Sequence, residues 1–71
     1  MARATREQSE ITARRILETA TEMFAEHGYA GTGLEEVAAA TAVTRGAVYH
    51  HYGSKQGLFE AVAAALRGLM A

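Results

Sequence analysis

Nineteen residues constrain this chain more than the rest: LEEVAAATAVTRGAVYHHY, from Leu34 to Tyr52. Leu34, Val37 and Ala38 fall on one face at helical spacing, which predicts a short helix from Leu34 to about Ala40. Val48 and Tyr52 lie four apart, which predicts a second helix opening at Thr44 and ending near Tyr52. Only Thr41-Ala42-Val43 separates them, enough for a tight turn, with Val43 as an apolar plug beneath both helices. Thr44, Arg45, Gly46, Ala47, Tyr49 and His50 fall on the outer side of the second helix. Large hydrogen-bonding side chains set among small residues suit a helix N-terminus pushed against a surface rich in acceptors. The major groove of DNA is such a surface.

The run from Ile16 to Phe59 resembles the DNA-binding domain of TetR-family transcriptional repressors. The matching residues are Ala20, Phe24, Gly28 and Tyr29 (AxxxFxxxGY), then Thr32, then LEEVA at 34–38, then VTRGAVYHHYGSKQGLF at 43–59. The last block is the most specific. Two positions depart from the family pattern. Gly33 stands where Thr or Ser is usual before the second helix, which weakens an N-cap. Ala42 stands where Gly is usual in the turn, which places a Cβ where φ > 0 is often required. The resemblance implies an all-α fold: a three-helix, homeodomain-like helix-turn-helix bundle followed by the start of a fourth helix. It implies contact with double-stranded DNA at a pseudo-palindromic operator through Thr32, Gly33, Thr44, Arg45, Gly46, Ala47, Tyr49, His50 and Lys55. It also implies a ligand-responsive repressor that is a homodimer in the intact protein.

Net charge is −1, which by itself argues against a nucleic-acid partner. The distribution argues the other way. Residues 1–15 carry +2, residues 16–40 carry five acids and no base, and residues 41–71 carry +2. The segment 41–57 contains no acid, and local sign decides whether a surface tolerates phosphate. The absence of cysteine removes disulfides, thiolate metal sites and a Cys nucleophile, and fits a reducing, cytoplasmic setting. The absence of proline suits a nearly all-helical chain. No signal peptide is visible, and the apolar tail from Leu58 is too short to span a bilayer, so no membrane partner is expected. At 71 residues the chain makes one small, marginally stable domain.

In chain order, residues 1–8 read as a flexible arm, either a frayed end or an arm reaching phosphate or the minor groove. Thr5 to Gln8 also matches a capping box, so a helix could begin there. A first helix is expected from about Ser9 to His27. Ile16, Leu17, Ala20, Met23, Phe24 and His27 form its inward stripe, and Glu18, Glu22 and Glu26 a solvated row. Gly28 suits the position that ends it, and Tyr29 is expected to turn back toward the core. Thr32 lies in the bend before the second helix, where by resemblance its hydroxyl and free N–H groups grip a DNA phosphate. Gly53 ends the recognition helix and Ser54 caps a fourth. Lys55 in that helix's first turn opposes the helix dipole, which suggests another partner, such as a phosphate. Leu58, Val62, Leu66 and Leu69 make the stripe of the fourth helix, with Phe59 and Met70 beside it. The domain boundaries expected are 1–8 for the arm, 9–57 for the helix-turn-helix domain with its motif at 33–52, and 58–71 for the fourth helix. That helix is read as leading into an absent ligand-binding and dimerisation domain. A small-molecule inducer acts only through that domain, and the piece itself is expected to be mainly monomeric.

Several residues admit a plainer role. Tyr49 is either half-buried packing or a phosphate or base contact, and Arg45 either a solvated charge or a base reader. Gly46 marks either close approach to DNA or a loosely selected position. His50 and His51 point about 100° apart on a helix and cannot chelate one metal together; by resemblance His50 is the exposed one. No metal, cofactor or catalytic residue is expected, because no Ser–His–acid set or desolvating pocket is apparent. The rival class is an all-helical protein-interaction module with the same core stripes, which has no need of an acid-free surface bearing Arg45, Tyr49, His50 and Lys55.

Overall fold

The computed structural model describes residues 6–70, with side chains for 7–68. Four helices follow in order: α1 (Arg6–His27), α2 (Leu34–Thr41), α3 (Arg45–Tyr52) and α4 (Lys55–Met70), with no strand among the described residues. None of these helices is long and apolar enough to cross a membrane. The all-α helix-turn-helix bundle with a fourth helix is therefore the observed architecture. α1 packs against α2, α3 and α4, so it is the backbone on which the motif is mounted.

Each helix end has a local cause. α1 begins at Arg6, three residues before the expected start, with Glu7 in its first turn complementing the dipole. Residues 6–8, expected in the arm, are thus helical. Thr5 and the rest of the arm lie outside the described residues. Gly28 ends α1 with φ 77°, and its N–H donates to the Phe24 carbonyl at 2.8 Å. At the start of α2, Gly33 offers no side chain, and Glu36 supplies half of a capping box instead: its Oε1 accepts the Gly33 N–H at 3.1 Å. Ala42 takes the left-handed conformation expected of the turn, φ 61° and ψ 36°, at a cost of about 1–2 kcal/mol for a residue with a Cβ. Thr44 caps α3 by accepting the Ala47 N–H at 3.0 Å, and Ser54 caps α4 by accepting that of Gly57 at 2.9 Å.

The core consists of Ile16, Ala20 and Phe24 from α1, Leu34, Val37 and Ala38 from α2, Val48 from α3, and Leu58 and Val62 from α4. Leu17, Met23, Val43 and Tyr52 pack against it half-buried. Four expectations are corrected, the first of them Leu66 of the expected α4 stripe, which is exposed. Phe59 is 39% exposed. Adjacent residues on a helix point about 100° apart, and Leu58, in line with Val62, takes the inward position. Phe59 instead sets its ring edge-on to Phe24 at 5.2 Å and to Tyr29 at 5.1 Å. Tyr29 does not enter the core; it is exposed, with its ring stacked on Phe24 at 5.9 Å. His27, expected in the α1 stripe, is the last residue of the helix and is exposed. The side chains of Leu69 and Met70 lie outside the described residues.

Candidate nucleic-acid interface

The outer face of α3 is held in place from behind. Val48 is fully buried. Four residues on, the Tyr52 hydroxyl donates to the Ala13 carbonyl in α1 at 2.8 Å. Burial pushes the Tyr52 phenol above its ordinary value, since the charged phenolate is poorly solvated there. With these two residues turned inward, helical geometry leaves Thr44, Arg45, Gly46, Tyr49 and His50 exposed and Ala47 half-buried. His50 is the more exposed of the adjacent histidines, as expected. Its ring centroid lies 5.4 Å from that of His51, and no cluster of three potential metal ligands occurs among the described residues.

A Cβ built on Gly46 meets only the Thr44 hydroxyl, at 3.8 Å, so nothing within the protein requires glycine there. What the glycine supplies is a flat patch beside Arg45, next to the first free N–H groups of α3. A partner's backbone can approach that patch closely.

An open cleft of about 480 Å³ lies beside this face, lined by residues 30–36 together with Arg45, Tyr49 and Lys55. The cleft joins the N-terminus of α2 to those of α3 and α4, three helix ends with unpaired N–H groups. Arg45 reaches into it, its guanidinium carbon 5.5 Å from the Tyr49 ring centroid. The same guanidinium donates from Nη1 to Glu35 Oε2 at 2.9 Å. Tyr49 first and Glu35 second raise the Arg45 pKa further above its ordinary value, so the group is permanently cationic. Lys55 Nζ sits 4.4 Å from the Tyr29 ring centroid, an aromatic face that accounts for a lysine placed against the helix dipole.

Of the nine expected site residues, Gly33, Arg45, Tyr49 and Lys55 line the cleft, and Thr44, Gly46 and His50 are exposed at or on α3. Ala47 is half-buried. Thr32 is corrected. It is among the residues that line the cleft, but it is 1% exposed, and its hydroxyl is shared between the carbonyls of Gly28 at 2.9 Å and Met23 at 3.1 Å. That hydroxyl closes the open C-terminal end of α1 and has no hydrogen left for a phosphate. The surface is also not free of acid. Glu35 and Glu36 line the cleft from α2, although the segment 41–57 contains neither. A pairing between residues ten apart across a turn has no periodic signature, so only the folded geometry reveals it.

The sequence profile of the family described as bacterial regulatory proteins, tetR family, matches residues 16–62, from the α1 stripe to the middle of α4. The chain belongs to the TetR family. Among similar proteins, the HTH-type transcriptional regulator AcrR of Shigella flexneri is 40% identical over 62 residues, covering 87% of this chain and 29% of that protein. The HTH-type transcriptional repressor AcnR of Corynebacterium glutamicum is 50% identical over 48 residues, 68% of this chain and 26% of that protein. A crystal structure of a TetR-family transcriptional regulator from Pectobacterium atrosepticum superposes with a TM-score of 0.81 at 42% identity, covering 93% of this chain and 34% of that one. The chain therefore spans about a quarter to a third of the length of the proteins it matches.

Proposed function

We propose that this chain is the DNA-reading head of a transcriptional repressor, with α3 entering the major groove of a double-stranded operator. The observation that carries the proposal is the division of α3. Val48 and Tyr52 are committed to the core and to α1, while Arg45, Tyr49 and His50 are left exposed around a glycine that leaves room for close approach. In this reading Arg45 in the first turn reads a base edge with its planar fork. Lys55 and the helix ends around the cleft, Gly33 and Thr44 among them, hold the phosphate backbone. Thr32 contributes by shaping the bend rather than by its hydroxyl. The similar proteins bear the names of regulators and repressors, which supports repression as the outcome. The full regulator works in the cytoplasm as a homodimer on a pseudo-palindromic operator, and its small-molecule inducer binds outside residues 1–71. Linking two heads multiplies affinity through effective concentration, so a single head is mainly monomeric and weak on one half-site.

The test is selection of bound sequences from a random DNA pool, followed by titration of a selected and a scrambled duplex across a salt series. A DNA reader enriches one motif and binds it more tightly at every salt concentration, with affinity falling linearly on a log–log plot. No enrichment, or binding indifferent to salt, overturns the proposal and leaves a helical protein-interaction module.

A further inference from the structure

We infer that Glu35, on α2 and outside the reading helix, is a specificity-determining residue: it holds the Arg45 fork and penalises every DNA on which Arg45 must leave it. The inference rests on the DNA-reading proposal above. The contact is specific. Arg45 Nη1 lies 2.9 Å from Glu35 Oε2 while the guanidinium lies over the Tyr49 ring, so the fork is braced on two sides before any partner arrives. Nη1 is committed to the Glu35 carboxylate, and the guanidinium as a whole stays exposed.

In water the pair itself contributes little to stability, because both side chains are more than half exposed, 55% and 75%. Its weight changes when DNA covers the cleft. A carboxylate that keeps its arginine is tolerated in a dehydrated interface. One that has lost it faces phosphate oxygens with nothing to neutralise it. On a scrambled sequence Arg45 gains most by turning to a phosphate, which strands Glu35. On the matched sequence guanidinium N–H groups not held by Glu35 meet their base acceptors with Glu35 still bound. The acid therefore costs more on the wrong DNA than on the right one, which is how a repulsive element yields specificity.

Glu36 supplies the control. It carries the same charge in the same cleft, but its carboxylate accepts the Gly33 N–H at 3.1 Å, and the ion pair of Arg45 is with Glu35 instead. The experiment measures binding of the 71-residue chain and three variants, Glu35→Gln, Glu36→Gln and Glu35→Gln with Arg45→Ala, to selected and scrambled duplexes across a salt series. Glu35→Gln should tighten binding to scrambled DNA by roughly three- to tenfold and leave the selected duplex less changed, so the specificity ratio falls. Its salt slope on scrambled DNA should steepen by about one unit. Glu36→Gln should leave the ratio unchanged, and in the Arg45→Ala background Glu35→Gln should no longer alter it. If both glutamines shift the ratio alike, or if the shift persists without Arg45, the effect is charge alone and the inference falls. If the wild-type chain discriminates and Glu35→Gln discriminates equally well, the inference falls while the DNA-reading proposal stands. If the wild-type chain does not discriminate, both fall.

Discussion

The carbonyl oxygen of Tyr52, at the end of α3, occupies the space where a Cβ at Gly57 in the first turn of α4 would stand. The overlap is with backbone, so neither a rotamer change nor a flexible side chain relieves it. α3 and α4 meet at their short junction only because position 57 has no side chain. Gly→Ala inside a helix ordinarily stabilises by up to about 1 kcal/mol. Here the sign should reverse: Gly57→Ala should destabilise by roughly 1–3 kcal/mol through overpacking. Gly68, later in α4, meets nothing within 4 Å, and Gly68→Ala should show the ordinary stabilisation. Paired urea melts of the two variants check the contrast.

Ala42 invites the opposite change. Its left-handed φ of 61° penalises the Cβ, and the residue is exposed, so little packing is lost with the methyl. Ala42→Gly should raise stability by about 0.5–1 kcal/mol, the relieved strain less the added freedom of the unfolded chain. In a thermal melt of a domain this size that is a rise of roughly 2–8 °C in Tm.

Phe24 joins the core to the aromatic cluster, 5.9 Å from the Tyr29 ring and 5.2 Å from that of Phe59. Phe24→Ala should cost roughly 3–5 kcal/mol, enough to unfold much of so small a domain. Circular dichroism at 222 nm against temperature is the measurement, and an unchanged melt would sink the core assignment.

The Tyr52 phenol sets an alkaline limit. Its folded pKa lies above the unfolded value of 10.0, so between those values the folded state holds the proton more tightly than the unfolded chain does. Its contribution is complete below the unfolded pKa and is lost as pH rises through the folded one. Stability should therefore fall above about pH 10, and Tyr52→Phe should flatten that fall. The same variant should cost about 0.5–1.5 kcal/mol at neutral pH through loss of the bond to Ala13. Chemical denaturation of both proteins at pH 7 and at alkaline pH separates the two effects.

Arg45 and Lys55 should separate base reading from backbone holding. Arg45→Ala should weaken binding to a selected duplex roughly ten- to hundredfold and relax preference at one base position. Lys55→Ala should weaken selected and scrambled DNA alike and lower the salt slope by about one unit. Titration of both duplexes over a salt series reads both effects. Reversed roles would mean that another element enters the groove.

Much of this fold was legible in the sequence because its signals are local. The stripe from Ile16 to Phe24, the three-residue turn, the glycines at 28 and 53 and the caps at Thr44 and Ser54 each act within one turn of helix. What was illegible depends on neighbours distant in sequence. Phe59 competes with Leu58 for one inward position, and only the placement of α1 decides between them. Thr32 carries a free hydroxyl until the C-terminal carbonyls of α1 are seen beside it. Gly57 looks like an ordinary weak helix residue until Tyr52 is placed against it. The segment 41–57 is acid-free as a string, yet α2 brings Glu35 to within 2.9 Å of Arg45. Linear charge counts therefore miss the acids that α2 brings to this surface.

The bond from Tyr52 to Ala13 spans 39 residues, and it bears on what α3 is outside this protein. Eight residues with a glycine at the second position fall short of the length at which an isolated helix persists in water. A synthetic peptide of residues 44–53 should therefore be unstructured, and carrying every outward side chain should not make it a competitor for the operator. In the proposed role, recognition depends on the way α1 grips the back of α3, and a mimic would have to carry that grip as well as the exposed residues of α3.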